Sequence, residues 1–155
     1  MDRMITLIED SRQQANKHEL KHKRWAELGV PLTRSKVVVG DYCLPPAVAV
    51  DTKASMSEIA QNIGGGRKEH ERFIREIKLA RDIGTQLYIL VENEDGIEEL
   101  DEVHTWLNPR TEFSPECIQG PRLEKAMRTI QERYGCIFLF CAPEDAAEMI
   151  VDLLT

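Results

Sequence analysis

No stretch of this chain approaches the roughly 18 to 20 consecutive apolar residues that a membrane-spanning helix needs. The opening Met1-Asp-Arg-Met lacks the basic start and apolar block of a secretory leader, so a cytoplasmic protein with no membrane association is expected. Cysteine is sparse. The four residues Cys43, Cys117, Cys136 and Cys141 include no Cys-x-x-Cys pair, which points away from a zinc knuckle and from a disulfide framework. Cys136 and Cys141 flank Ile-Phe-Leu-Phe and read as buried thiols. There is no internal repeat and no low-complexity tract. With 155 residues and 42% apolar content, the chain suffices for one domain with a single core, and nothing in it calls for a small-molecule cofactor.

Positive charge is short in one half only. Residues 1–84 carry 15 Lys and Arg against 12 Asp and Glu, whereas residues 85–155 carry 5 against 15 within a net charge of −7. An acidic total argues weakly against nucleic acid, but binding depends on a local basic face. Two segments could supply one: Lys17, Lys21, Lys23 and Arg24, and then Arg67, Lys68, Arg72, Arg75, Lys78 and Arg81. The bland alternative is a pair of ordinary solvated helix faces.

What the chain does have is Val37-Val-Val-Gly-Asp-Tyr42 and, after a Pro-Pro turn, Val48-Ala-Val-Asp-Thr-Lys53. These read as two β-branched strands. Alternate residues of a strand share a face, so Asp51 and Lys53 point the same way, and a reversal near Pro46 brings Asp41 opposite Asp51. Two hard oxygen ligands beside one ammonium suit metal-assisted phosphodiester hydrolysis. The carboxylates of Asp41 and Asp51, with the Thr52 carbonyl, would hold Mg²⁺ or Mn²⁺, and Lys53 would steady the attacking water or the charge developing on phosphate. Asp10 is a further candidate for the same site and Arg12 for a phosphate contact; their bland reading is an Asp-Ser helix cap. Glu71 is expected to pair with Arg75 at i+4.

Gly40-Asp41-Tyr42, then Asp51-Thr52-Lys53 with Ser57-Glu58-Ile59 behind it, resembles the Gly-Asp-Tyr … Glu-Arg-Lys … Asp-Leu pattern of the XPF-type nuclease domain, a branch of the PD-(D/E)xK superfamily. Ile8-Glu-Asp-Ser-Arg-Gln13 is similar to that family's Asp-x-Arg-Glu motif, and Gly66-Arg67 with His70-Glu71-Arg72-Phe73 to its Gly-Arg helix. The resemblance covers residues 4–93 and looks closest to compact bacterial or phage members. It has departures: Asp51 stands for Glu, Thr52 for Arg, Gln13 for Glu, and Glu58 sits one residue late. Asp for Glu keeps a metal ligand. The resemblance implies a restriction-endonuclease-like mixed sheet, with a β-hairpin carrying the site and helices on both faces. It also implies an Mg²⁺- or Mn²⁺-dependent deoxyribonuclease, an endonuclease of DNA repair, recombination or phage DNA processing, with DNA as partner and a homodimer as assembly. Residues 1–93 would be the motif-bearing core, and the acidic residues 94–155 would complete the same domain. DNA contacts fall on Arg12, Lys17, Lys21, Lys23, Arg24, Arg67 and Arg72.

Periodicity and breakers predict a strand over 4–8, a helix over 13–28 stopped by Gly29, the hairpin over 35–53, and a helix capped by Ser55 to 63. A long helix over 67–83 follows, with Phe73, Ile74, Ile77 and Ala80 inward. Further on come a central strand over 87–91, a short helix over 100–107, an irregular 108–120, a helix over 123–134, a strand over 137–140 and a closing helix over 143–154. Alternating strands and helices make an α/β fold. Trp25, Trp106, Phe138 and Phe140 are assigned to the core.

Three other readings compete with the nuclease. One is a nuclease-fold module that binds DNA without cutting it, and another is a purely interaction protein whose acidic C-terminal half mimics or repels nucleic acid. The third is a zinc peptidase, because His18-Glu19-Leu20-Lys21-His22 fits H-E-x-x-H. Its helix reads Asn-Lys-His-Glu-Leu-Lys-His-Lys-Arg, too polar for a packed zinc-binding helix, and only His70 and His104 offer themselves as a third ligand.

Overall fold

Alternation along the two central strands sets the architecture. The computed structural model describes residues 7–13, 18–35, 40–44 and 48–155. Six strands form one mixed sheet in the order β2-β1-β3-β4-β5-β6: β1 (Leu7–Asp10), β2 (Leu32–Ser35), β3 (Tyr42–Leu44), β4 (Val48–Lys53), β5 (Gln86–Glu92) and β6 (Ile137–Cys141). β4, β5 and β6 run parallel, β3 is antiparallel to both β1 and β4, and β1 is parallel to β2.

Ala49 of β4, Ile89 and Val91 of β5, and Phe138 and Phe140 of β6 point to one face. There they meet α2 (Met56–Gly64), α3 (Arg67–Asp82) and α4 (Gly120–Tyr134). Val50 and Leu90 point to the other face and pack with Leu7, Tyr42, Trp25 of α1 (Glu19–Leu28) and Ile150 of α5 (Ala146–Leu154). A sheet covered on both faces explains why β5 is apolar without alternation. Trp25 fixes α1 against α5: its indole N–H donates to the Ala147 carbonyl at 2.8 Å, and its ring meets Tyr42 edge-on at 5.0 Å. Among the described residues no helix is long and apolar enough to cross a membrane.

Several boundaries differ from the sequence-based ones. The first strand begins at Leu7 among the described residues, since residues 1–6 lie outside them. Of the helix expected over 13–28, Glu19–Leu28 is helical and residues 14–17 lie outside the described residues, while Gln13 closes a turn through its N–H to the Asp10 carbonyl at 3.1 Å. β2 was not anticipated. The stretch Val37 to Val39 and the turn at Pro45 and Pro46 lie outside the described residues, and the described part of the hairpin starts at Tyr42, after Gly40 with φ of 79°. The short helix over 100–107 is a 3-10 helix at Leu100–Thr105. A second one, Pro109–Glu112, lies in the segment read as irregular, where Asn108 caps it by accepting the Arg110 N–H. Ser55 caps α2 as expected, accepting the Glu58 N–H at 3.1 Å.

Candidate active site

The antiparallel β3–β4 register, Tyr42 opposite Val50, carries Asp41 opposite Asp51. The Asp41 N–H donates to the Val50 carbonyl at 2.8 Å, and its Oδ2 accepts both the Thr52 N–H at 2.8 Å and the Thr52 hydroxyl at 3.0 Å. Two residues along β4 from Asp51, the Lys53 ammonium reaches Asp51 Oδ2 at 3.0 Å and sits over the Phe73 ring of α3 at 5.4 Å. Both partners are buried, Asp51 at 6% and Lys53 at 9% exposure, so their charges are poorly solvated. All three side chains open into a cleft of about 330 Å³ that is also lined by Arg12, His18, Lys21, Glu58 and Glu92.

The electrostatics follow from burial and crowding. Burial, and then the neighbouring Asp41, push the Asp51 carboxyl up to about 7. Burial also raises Asp41, while the Thr52 donors and a hydrogen bond shared with Asp51 hold it back. Burial pulls the Lys53 ammonium down, but Asp51 outweighs it and the net shift is upward. Two facing carboxylates with an incomplete counter-charge form a site that a hard cation would complete. The donors are oxygen only, the carboxylates of Asp41 and Asp51, and they fit Mg²⁺ or Mn²⁺ better than Zn²⁺.

The other sequence candidates are placed as follows. The Asp10 N–H donates to the Asp41 carbonyl at 2.7 Å, but its carboxylate is gripped by Arg12, whose Nε lies 3.0 Å from both oxygens. Arg12 itself lines the cleft. Lys17 lies outside the described residues. Lys21, read as a surface cation, is buried at 5% exposure in an ion pair with Glu92 at 2.6 Å, so it does not belong to an exposed basic face. Lys23 and Arg72 are exposed, whereas Arg24 is held by Glu27 and Glu148 and Arg67 by Glu71. Glu71 thus pairs one turn back with Arg67 rather than forward with Arg75. Glu58 accepts the Ala54 N–H at 3.0 Å at the rim of the cleft.

The H-E-x-x-H residues do not converge. His18 is the residue preceding α1 and has Nδ1 3.4 Å from Lys21 Nζ; His22 Nε2 lies 2.6 Å from Glu9 Oε2; Glu19 is exposed. His70 Nδ1 bonds the Ile63 carbonyl, and His104 pairs with Glu124. Among the described residues no group of three or more His, Cys, Asp or Glu gathers to hold a metal.

Sequence reasoning missed three acids. Glu9, 1% exposed on β1, gathers His22, Arg34 and the Tyr42 hydroxyl. Glu92 ends β5 one residue past Val91, the partner of Lys53, and so reaches the cleft. Glu76 of α3 accepts the Gly40 N–H at 3.0 Å. Its signal was present in the sequence: an acid between Phe73 and Ile77, on the edge of an apolar stripe.

No protein-family profile matches the chain, and no curated protein matches it. Solved structures do. XPF from Aeropyrum pernix is similar at a TM-score of 0.67 and 18% identity over 97% of this chain. The same protein in complex with DNA is similar at 0.67 and 18% over 96%. This chain spans 63% and 62% of those chains, just under two thirds of their length. A likeness at this identity concerns the fold. The mixed sheet, the hairpin that carries Asp41 and Asp51, and the two helical layers share the fold of this XPF protein.

Proposed function

We propose that the protein is a DNA nuclease, an endonuclease that hydrolyses phosphodiester bonds with Mg²⁺ or Mn²⁺, and that residues 1–93 and 94–155 form one nuclease domain. The observation that carries this reading is the meeting of Asp41, Asp51 and Lys53 in one cleft, on a fold shared with an XPF protein that has been solved in complex with DNA. Asp41 and Asp51, with the Thr52 carbonyl, would hold the ion. Once bound, the ion would supply Lewis-acid activation of the phosphate and of water.

The chain's own residues do the rest. Thr52 pins Asp41 through two donors, so this carboxylate is oriented before any ion arrives. Lys53 brings a partly desolvated ammonium to the place where charge develops on phosphate, where a fixed cation is worth more than in water. Arg12, which lines the cleft in an ion pair with Asp10, would hold a phosphate, and the exposed Lys23 and Arg72 would add backbone contacts. DNA and a second copy of the chain are the proposed partners.

One observation favours a second reading, a module that binds DNA without cutting it: Lys53 already compensates Asp51 directly. Incubation of labelled DNA with Mg²⁺ or Mn²⁺, and in parallel with EDTA, separates the two. Cleavage that needs the metal supports the nuclease. Retention of DNA without cleavage under both conditions supports the binding module.

A further inference from the structure

The site described so far is made by residues of the hairpin, but its first carboxylate is also held from outside the sheet. Gly40, immediately before Asp41, has φ of 79°, and a Cβ there would stand 3.0 Å from the Val50 carbonyl oxygen and 3.2 Å from Ala49 Cβ. The backbone is therefore pressed against β4 in a conformation that suits glycine. Asp41 finds sheet-like partners for its N–H, at Val50, and for its carbonyl, at the Asp10 N–H. The Gly40 N–H has its partner in the Glu76 carboxylate, 36 residues on, at 3.0 Å.

Glu76 stands on the same side of α3 as Phe73, one turn earlier, and Phe73 lies under the Lys53 ammonium. One helix edge thus touches both ends of the constellation, the lysine through a ring and the Gly40-Asp41 peptide through a carboxylate. Both contacts reach the hairpin from outside it. We propose that Glu76 is a positioning residue: by accepting the Gly40 N–H it fixes the Gly40-Asp41 peptide, and with it the orientation in which Asp41 presents its carboxylate to a divalent cation. In this proposal Glu76 acts through this acceptor atom and does not itself ligate the ion. The metal-binding part of this inference rests on the nuclease reading; the positioning part does not.

The test pairs Glu76→Ala with Glu76→Gln, whose amide carbonyl can still accept the Gly40 N–H. In metal-free protein the amide signals of Gly40 and Thr52 are followed by ¹⁵N-correlated NMR, since the Thr52 N–H reports on Asp41 Oδ2. The Ile150 amide, in α5 on the opposite face of the sheet, serves as the fold control. The expected result is that Ala shifts both Gly40 and Thr52 and speeds Gly40 hydrogen exchange, while Gln leaves Thr52 near its wild-type position. Mn²⁺ titration by calorimetry should then show affinity lost by about tenfold or more in Ala and largely restored in Gln, the scale of a residue that orients a metal ligand. A Thr52 amide unmoved in Glu76→Ala overturns the proposal, whatever Mn²⁺ does. Equal loss of Mn²⁺ affinity in both variants, with Thr52 in place, also overturns it, because the carboxylate's charge rather than its acceptor would then matter. Wild-type protein that fails to bind Mn²⁺, with Thr52 still following the Ala and Gln pattern, leaves the positioning of Asp41 standing and removes the nuclease reading instead.

Discussion

Lys53 holds its ammonium 3.0 Å from Asp51 Oδ2, two residues away on the same face of β4, while Asp41 presses on Asp51 from the adjoining strand. Asp51 therefore has one cation and one anion as neighbours in a buried setting. That imbalance governs how the site responds to pH and to added metal.

Asp51 makes the metal-free protein pH-sensitive in a definite sense. Its folded value is up at about 7 against an ordinary 3.8. A raised carboxyl favours the protonated native form, so its contribution to stability is fully present below about pH 4 and is lost as pH rises through about 7. Asp51→Asn should thus lack this loss, so that between pH 5 and pH 8 without metal its stability relative to wild type should shift in the variant's favour. Adding Mn²⁺ to the wild type should reduce that shift. Urea midpoints across this range check it; parallel curves for the two proteins would contradict it.

Lys53→Met should keep divalent-ion binding, because the lysine is placed on water and phosphate, while cleavage is lost. Removing its ammonium from Asp51 also removes a competitor for the ion, so the affinity for Mn²⁺ should stay level or rise. Calorimetry beside a gel assay reads both. Parallel loss of binding and cleavage would make Lys53 a structural residue.

Tyr42, the third residue of the Gly-Asp-Tyr run, belongs to the opposite face. Its hydroxyl donates to Glu9 Oε2 at 3.0 Å, and burial, followed by Glu9, drives its ionisation far upward. Tyr42→Phe should destabilise by about 1.5–3 kcal/mol, the usual loss for a buried hydrogen bond to a charged group, with DNA affinity unchanged. A denaturation midpoint equal to wild type would show that His22 and Arg34 satisfy Glu9 without it.

The pairing of Tyr42–Leu44 with Val48–Lys53 was legible in the sequence because a reversal of the chain before Val48 brings Asp41 to Asp51, and because alternate residues of one strand put Asp51 and Lys53 on one face. What stayed hidden depends on partners distant in the chain. Lys21 sits in a run of polar residues typical of a solvated face, and only the docking of α1 beside β5 buries it on Glu92. β2 has little intrinsic strand character in Leu32-Thr-Arg-Ser, and parallel pairing with β1 supplies what propensity does not. Glu76 lies beyond the Gly64-Gly-Gly66 break, and its tie to Gly40 spans 36 residues.

Basic residues should differ in what they contribute to DNA binding. Lys23 and Arg72 are exposed, so replacing each by Glu should weaken affinity and flatten the salt dependence by about one unit of slope per lost contact. Arg24, tied to Glu27 and Glu148, should have a smaller effect. Fluorescence anisotropy at several salt concentrations reads the slopes; an unchanged slope for Lys23 and Arg72 would make both faces merely solvated.

The central claim, that Asp41 and Asp51 anchor a catalytic divalent ion, is tested most directly by cleavage of labelled DNA by wild type and by Asp51→Asn in Mg²⁺ or Mn²⁺, with circular dichroism confirming an intact fold. The expected result is metal-dependent cleavage by the wild type that is abolished in the variant, because one of the two carboxylates that hold the ion is gone. Cleavage by Asp51→Asn at the wild-type rate, or wild-type cleavage undiminished in EDTA, would contradict the claim.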